Sequence, residues 1–251
     1  MNISVFGLGN LGMPLAAVLA AKGHVVTGVD VDSSVVDELL NGYSNVEEPG
    51  LGELIEKGGD RLKATTDGVV AASETDVSFV IVPTPSEENG NFSLDFIFQA
   101  TQQIGKVISS KASRHTVVIT STVVPGATNG KIIPSIEAVS GKSCGPDFGV
   151  CYSPEFVALG SVVKDMLIPD MVLIGESDAE SGDCLEGVYR SVNENSPVIR
   201  RMNIVNAEVT KLAVNTYVTA KISFANMISD ICQNLEGGDP YQVTEAIGSD
   251  S

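Results

Sequence analysis

Basic residues are scarce. Of 251 residues, 15 are Lys or Arg against 32 Asp or Glu, a formal net charge of −17. So acidic a surface repels polyanions, which excludes nucleic acid and anionic lipid as partners. An anionic ligand must then be held by local cations and backbone dipoles. The same charge also fits an adaptation to high salt or for solubility, and composition does not choose. Histidine is rarer still: His24 and His115 each stand just before a predicted strand, without partners at metal-ligand spacing. Both read as turn residues, and no metal is expected. The four cysteines, Cys144, Cys151, Cys184 and Cys232, include no C-x-x-C pair and read as reduced, mostly buried small side chains. No apolar run approaches the roughly 18 to 20 residues of a membrane span. The N-terminus enters a strand directly, with no basic leader or cleavage signal. A soluble, cytoplasmic protein is expected.

What is present in quantity is apolar residue and glycine: 43% hydrophobic and 25 Gly, as suits a sheet with many turns. Three glycines organise the front of the chain. Residues 3–6 are a short apolar run of β-formers, Gly7, Gly9 and Gly12 follow, and residues 15–21 have helical periodicity. In a strand, G-x-G-x-x-G, helix unit, Gly7 allows the tight turn and Gly9 lets bare backbone approach a pyrophosphate. Gly12 lets the helix sit close to the strand. Asn10 and Leu11 complete the loop, and the helix N-terminus turns its N–H groups and dipole toward phosphate. Tight strand-to-helix turns need glycine with or without a ligand, so context decides. Residues 25–29 read as a second strand ending in Asp30, eighteen residues after Gly12. A carboxylate there accepts hydrogen bonds from both adenosine ribose hydroxyls and repels a 2′-phosphate, so the expected cofactor is NAD rather than NADP. The plainer reading of Asp30 is a solvated strand-end acid.

Further along, Ser33 or Ser34 is expected to cap a helix ending at Asn41-Gly42, and Glu48-Pro49-Gly50-Leu51 to start a short one. Strands are predicted at 62–65, 77–82, 116–120, 148–152 and 171–174. Helices are predicted at 67–73, 92–109, from after Thr128 to about Val139, and 178–192. The 77–82 run is nearly all apolar, as a parallel strand covered on both faces should be. It ends in Pro83-Thr84-Pro85, and the next strand ends in Ser121-Thr122. The repeated strand, polar loop, helix order describes an α/β, doubly wound, mostly parallel Rossmann-like sheet over residues 1–202. The crossover rule brings the loops after Phe6, Val82, Thr120 and Tyr152 to one edge. From 203 to 235 there is neither Gly nor Pro, and apolar residues recur at helical spacing. One long helix of roughly 45 Å is expected, running out to a second lobe or a partner subunit as the start of a second domain (203–251).

These loops together resemble the UDP-glucose/GDP-mannose 6-dehydrogenase family of nucleotide-sugar dehydrogenases. The stretches that carry the resemblance are Gly7-Leu8-Gly9-Asn10-Leu11-Gly12-Met13-Pro14, Glu48-Pro49-Gly50-Leu51, Val82-Pro83-Thr84-Pro85, Ser121-Thr122-Val123-Val124-Pro125-Gly126, Ser153-Pro154-Glu155-Phe156 and Ala207-Glu208-Val209-Thr210-Lys211-Leu212-Ala213-Val214-Asn215. The resemblance implies oxidation of a sugar C6 alcohol to a carboxylate in two NAD-dependent steps, with a nucleotide sugar such as UDP-glucose as substrate. By the same resemblance Lys211 and Asn215 act on the C6 oxygen, Glu155 with Thr122 beside it handles protons or water, and Pro83, Thr84 and Thr122 line the nicotinamide end. Lys211 and Asn215 are four apart and share a helix face, although most helix lysines are merely solvated. Glu155 also reads as an ordinary acid after proline at a helix start.

Three departures stand out: Val35 where the family commonly has Lys or Arg, Leu159 where many members have a second Glu, and Met227 in place of a helix Glu. Family chains also continue through a catalytic cysteine to a second nucleotide-binding domain. None of the four cysteines here lies in the matching context. Residues 1–251 are accordingly expected to be an N-terminal part that binds NAD without completing the reaction. A homodimer through the long helix is expected. Two other readings stay open: a β-hydroxyacid dehydrogenase of the 6-phosphogluconate type, and a non-catalytic dinucleotide-binding or dimerisation module.

Overall fold

Strand β1 (Asn2–Phe6) is buried along all but its first residue, which places it at the centre of the sheet rather than an edge. The computed structural model describes residues 1–88 and 90–249; Asn89 in the predicted 87–91 loop and the terminal Asp250 and Ser251 lie outside that range. β1 leads to α1 (Gly12–Ala21), β2 (Val25–Val29), α2 (Ser33–Leu40), α3 (Leu51–Gly58), β3 (Leu62–Thr65), α4 (Gly68–Ser73) and β4 (Val77–Val80). The second half continues through α5 (Asp95–Ser110), β5 (Thr116–Ile119), α6 (Ile133–Ser140), β6 (Gly149–Tyr152), α7 (Val162–Leu167), β7 (Met171–Glu176), α8 (Ala179–Val192) and β8 (Val198–Asn203). The long helix α9 (Ile204–Gln233) and α10 (Pro240–Gly248) follow. By contacts the chain forms two compact units, Met1–Glu208 and Val209–Ser251.

The eight strands lie in the order β3-β2-β1-β4-β5-β6-β7-β8. Pairing is parallel from β3 through β6, antiparallel between β6 and β7, and parallel again between β7 and β8. The doubly wound, mostly parallel, Rossmann-like sheet expected from the sequence is therefore present. Chain order runs outward from β1 to β2 and β3, then jumps back to β4, so the switch point falls between β1 and β4, where such sheets bind ligands. Apolar side chains cover both faces. One layer centres on α1, with Val5, Leu39, Ile55 and Leu185; the other centres on α5 and α6, with Ile97, Ile104 and Ile136. All ten residues of α1 are buried.

Four helices start at an aspartate whose carboxylate accepts first-turn N–H groups: α2 at Asp32, α4 at Asp67, α8 at Asp178 and α10 at Asp239. Asp32, not Ser33 or Ser34, caps α2, because its carboxylate reaches the Ser34 N–H at 2.8 Å. Two elements escaped the sequence reading. Helix α7 is six residues long, and β8 is a half-exposed edge strand whose Arg200 and Arg201 mask its β pattern. One histidine also differs from its expected role. His115 is 1% exposed, its Nε2 2.8 Å from Ser78 Oγ, and Ser78 Oγ lies 2.7 Å from Ser4 Oγ. It crosslinks β1, β4 and β5 from inside rather than lining a turn.

Candidate functional site

Because β1, β4, β5 and β6 are parallel and in register, the chain leaves all four at the same edge of the sheet. The loops after them carry Gly7 to Gly12, Pro83 and Thr84, Thr122, and Glu155. Most of the residues singled out by sequence thus share one rim, while Lys211 and Asn215 stand one helical turn apart on α9 in the second unit.

The three glycines differ in what surrounds them. Gly7 has φ +94°, and a Cβ there would lie 2.6 Å from the Ile81 carbonyl oxygen. At Gly12 a Cβ would fall within the Gly7 carbonyl oxygen and 2.8 Å from Ile81 Cγ2, so α1 sits as close to the strands as backbone allows. Nothing lies within 4 Å of a Cβ placed on Gly9, which is exposed. Its bare backbone is therefore open to solvent on that side. Helix α1, unlike its four capped counterparts, has no side-chain cap and no acid in its first turn. Its N-terminal N–H groups and positive dipole end are what an anion would meet there.

The same loop fixes Asp30. One carboxylate oxygen accepts the Leu8 N–H at 2.8 Å and the other accepts the Asp32 N–H at 3.0 Å. A carboxylate has about four acceptor sites, so an oriented Asp30 still has capacity for two hydroxyls. The half-buried carboxylate, the empty space above Gly9 and the uncapped helix together fit a dinucleotide with a free ribose diol.

On the β4 side of the switch point, Thr84 Oγ1 donates to the Thr122 carbonyl at 2.9 Å, joining two residues the sequence assigned to one end of the cofactor. Ser121 Oγ accepts the Val82 N–H and donates to the Val82 carbonyl, at 2.9 and 2.7 Å, so the β4 and β5 loops are locked together. Ser153 is held between the Leu173 carbonyl and the Tyr189 hydroxyl, at 2.8 and 2.7 Å. Burial first, then the Glu155 charge, push the Tyr189 phenol well above its ordinary pKa, with the Ser153 bond opposing them. Glu48 accepts N–H groups of Gly160 and Val163, at 3.1 and 3.3 Å, which ties the Glu-Pro-Gly-Leu stretch to the end of the Glu155 loop. Val35 packs against the core, whereas Leu159 and Met227 are exposed.

Sequence reading missed Glu208, which is fully buried and bonded to the N–H groups of Gly126 and Thr128. A glutamate on a helix usually faces water; the only signal was its place in a stretch shared with Lys211. Among the described residues there is no group of three or more His, Cys, Asp or Glu able to hold a metal, and no helix long and apolar enough to cross a membrane. All four cysteines are free; Cys151 and Cys232 are buried, and Cys144 and Cys184 partly so.

Comparison with known proteins identifies the family of the chain. Residues 1–193 match the NAD binding domain of the UDP-glucose/GDP-mannose dehydrogenase family, and residues 205–251 match its central domain. The chain is 43% identical to a GDP-mannose 6-dehydrogenase of Pseudomonas aeruginosa, over all of this chain and 57% of that protein. It is 38% identical to a UDP-glucose 6-dehydrogenase of Haloferax volcanii, over all of this chain and 59% of that one. Among solved structures, a ternary complex of the Pseudomonas aeruginosa GDP-mannose dehydrogenase superposes with a TM-score of 0.94 at 43% identity, covering 100% of this chain and 57% of that one. The chain thus spans just over half the length of the curated relatives it matches. Both domain matches disfavour the 6-phosphogluconate-type reading. With an NAD-binding domain over its first 193 residues, the chain belongs to the UDP-glucose/GDP-mannose dehydrogenase family.

Proposed function

We propose that the whole protein oxidises the C6 alcohol of a nucleotide sugar to the uronic acid with NAD, and that the rim described above holds the cofactor. The observation that carries the proposal is the pairing of an uncapped α1 N-terminus behind the Gly7-to-Gly12 turn with a backbone-anchored Asp30. Gly7, Gly9, Asn10, Leu11 and Gly12 hold the pyrophosphate through backbone N–H groups, and Asp30 holds the adenosine ribose. Pro83, Thr84 and Thr122 line the nicotinamide end. NAD, when bound, supplies the hydride acceptor, two equivalents for each alcohol taken to a carboxylate.

The roles of the protein groups follow from chemical need. As hydride leaves C6, the alcohol proton must go to a base and oxyanion character must be stabilised. Lys211 and Asn215, one turn apart on α9, hold the C6 oxygen. Glu155, with Thr122, holds the proton or water of the second half-reaction. GDP-mannose and UDP-glucose are the first substrates to try, because the relatives cited act on them by name. NADH formation with either, abolished by Lys211→Met, supports the proposal; NADH formation with 6-phosphogluconate alone refutes it.

We further propose a cytoplasmic homodimer. Tyr217, Ile222, Phe224, Met227 and Ile231 on α9 in the second unit are exposed apolar side chains, more than a helix in water usually carries. Sedimentation shows a dimer if they form the interface, and a monomer at high concentration contradicts it.

A further inference from the structure

We propose that Glu208 is a positioning residue for the nicotinamide half of the cofactor, acting through the 121–128 loop; the inference rests on the NAD reading above. Glu208 is the last residue of the sheet unit and is 0% exposed. Its Oε2 accepts the Gly126 N–H at 2.5 Å and its Oε1 accepts the Thr128 N–H at 2.9 Å. Gly126 has φ +88°, a left-handed turn from which these two N–H groups reach one carboxylate. Between the two ends of the loop Val123 and Ala127 are buried at 0% and 3% exposure. The front of the loop is fastened separately, by Ser121 to Val82 and by Thr84 to the Thr122 carbonyl. Its position therefore depends on two clamps, one on the β4 loop and one on Glu208.

Sheet order says which part of the cofactor this loop serves. Asp30 stands at the end of β2, on one side of the β1/β4 switch point, and β4 and β5 stand on the other. A dinucleotide with its adenosine ribose on Asp30 and its pyrophosphate over Gly9 lays its second nucleotide across the β4 and β5 loops. Two backbone donors also explain the residue type. A carboxylate offers an acceptor oxygen to each, whereas glutamine offers one oxygen and turns an NH₂ against the other N–H. Burying a carboxylate is costly unless it is well bonded, so Glu208 is a demanding way to hold a loop and sets its position tightly.

The test separates the halves of the cofactor by titrating the whole protein calorimetrically with NAD and with ADP-ribose, which lacks only the nicotinamide. In Glu208→Gln the Kd for NAD is expected to rise about tenfold while that for ADP-ribose stays within about twofold. Global loosening of the fold moves both affinities together, so parallel losses overturn the proposal, as does no change in either. Should Glu208→Gln not fold, Gly126→Ala perturbs the same clamp from the loop side. No atom lies within 4 Å of the added Cβ, so only the turn is strained; the same selective loss is expected, and a parallel or absent one overturns the proposal. Wild-type protein that binds neither ligand refutes the NAD reading itself, a result visible before any variant is made.

Discussion

Adding one methyl group at each of two neighbouring glycines should separate folding from cofactor binding. At Gly12 the new Cβ falls within the Gly7 carbonyl oxygen and 2.8 Å from Ile81 Cγ2, against an ordinary contact of at least 3.4 Å. Neither obstacle is the flexible end of a long side chain, so α1 must move away from β1. All ten residues of that helix are buried, and the displacement loosens its packing on the sheet. Overpacking typically costs 1 to 3 kcal/mol. With backbone against backbone, Gly12→Ala should sit at or above the top of that range, about 3 kcal/mol, lowering Tm by roughly 6 to 12 °C for a protein of this size. At Gly9 nothing lies within 4 Å and φ is not positive. Gly9→Ala should therefore leave stability within about 0.5 kcal/mol. Its methyl would enter the space proposed for the pyrophosphate, so the Kd for NAD should rise at least about tenfold, a loss of about 1.4 kcal/mol. Scanning calorimetry and titration calorimetry on the same two variants read both quantities. A Gly12→Ala protein with unchanged Tm, or a Gly9→Ala protein binding NAD as tightly as wild type, would refute the reasoning.

Three further outcomes follow from the same structure. Asp30→Asn keeps one oxygen for the Leu8 or Asp32 N–H but loses the charge, so the preference for NAD over NADP in titrations should shrink about tenfold; an unchanged ratio places the ribose elsewhere. His115 is pushed down to about 3 by burial and then by the Lys111 charge, against a bond to the Thr75 backbone. The unfolded chain takes up that proton below about pH 6.5 and the folded chain only near pH 3. Stability from this group is therefore present above about pH 6.5 and is lost as pH falls toward 3, by up to roughly 5 kcal/mol. Urea midpoints of His115→Gln should fall less than wild type between pH 7 and pH 4, and identical slopes contradict the assignment. Arg201 bonds Glu176, Asp183 and Glu186 together on the last two strands and α8. Arg201→Ala should cost about 1 kcal/mol in denaturant melts, with the difference shrinking in high salt.

Sequence made the sheet legible where side chains are buried on both faces. Residues 77–80 and 116–119 are all apolar or small, as parallel strands covered on both faces should be. The Gly7, Gly9 and Gly12 spacing with Asp30 at the next strand end was equally readable, because each position has a separate steric or electrostatic reason. Strand β8 was not legible, since an edge strand with one exposed face admits arginines that resemble loop composition. Its antiparallel predecessor pair, β6 with β7, also depends on long-range packing that no local pattern encodes. Asp32 displaced the serines as a cap because ranking among good capping residues is decided by geometry, not by type. Glu208 was hidden for a related reason: its partners, Gly126 and Thr128, lie some eighty residues earlier in the chain.

The central claim is that NAD lies across the carboxyl rim with its adenosine ribose on Asp30. A crystal structure of the protein grown with NAD tests it most directly. Pyrophosphate density is expected against the Gly9 backbone at the start of α1, with both adenosine ribose hydroxyls on the Asp30 carboxylate and the second nucleotide beside Thr84 and Thr122. Density for the dinucleotide anywhere else, with the space above Gly9 filled only by solvent, would contradict it.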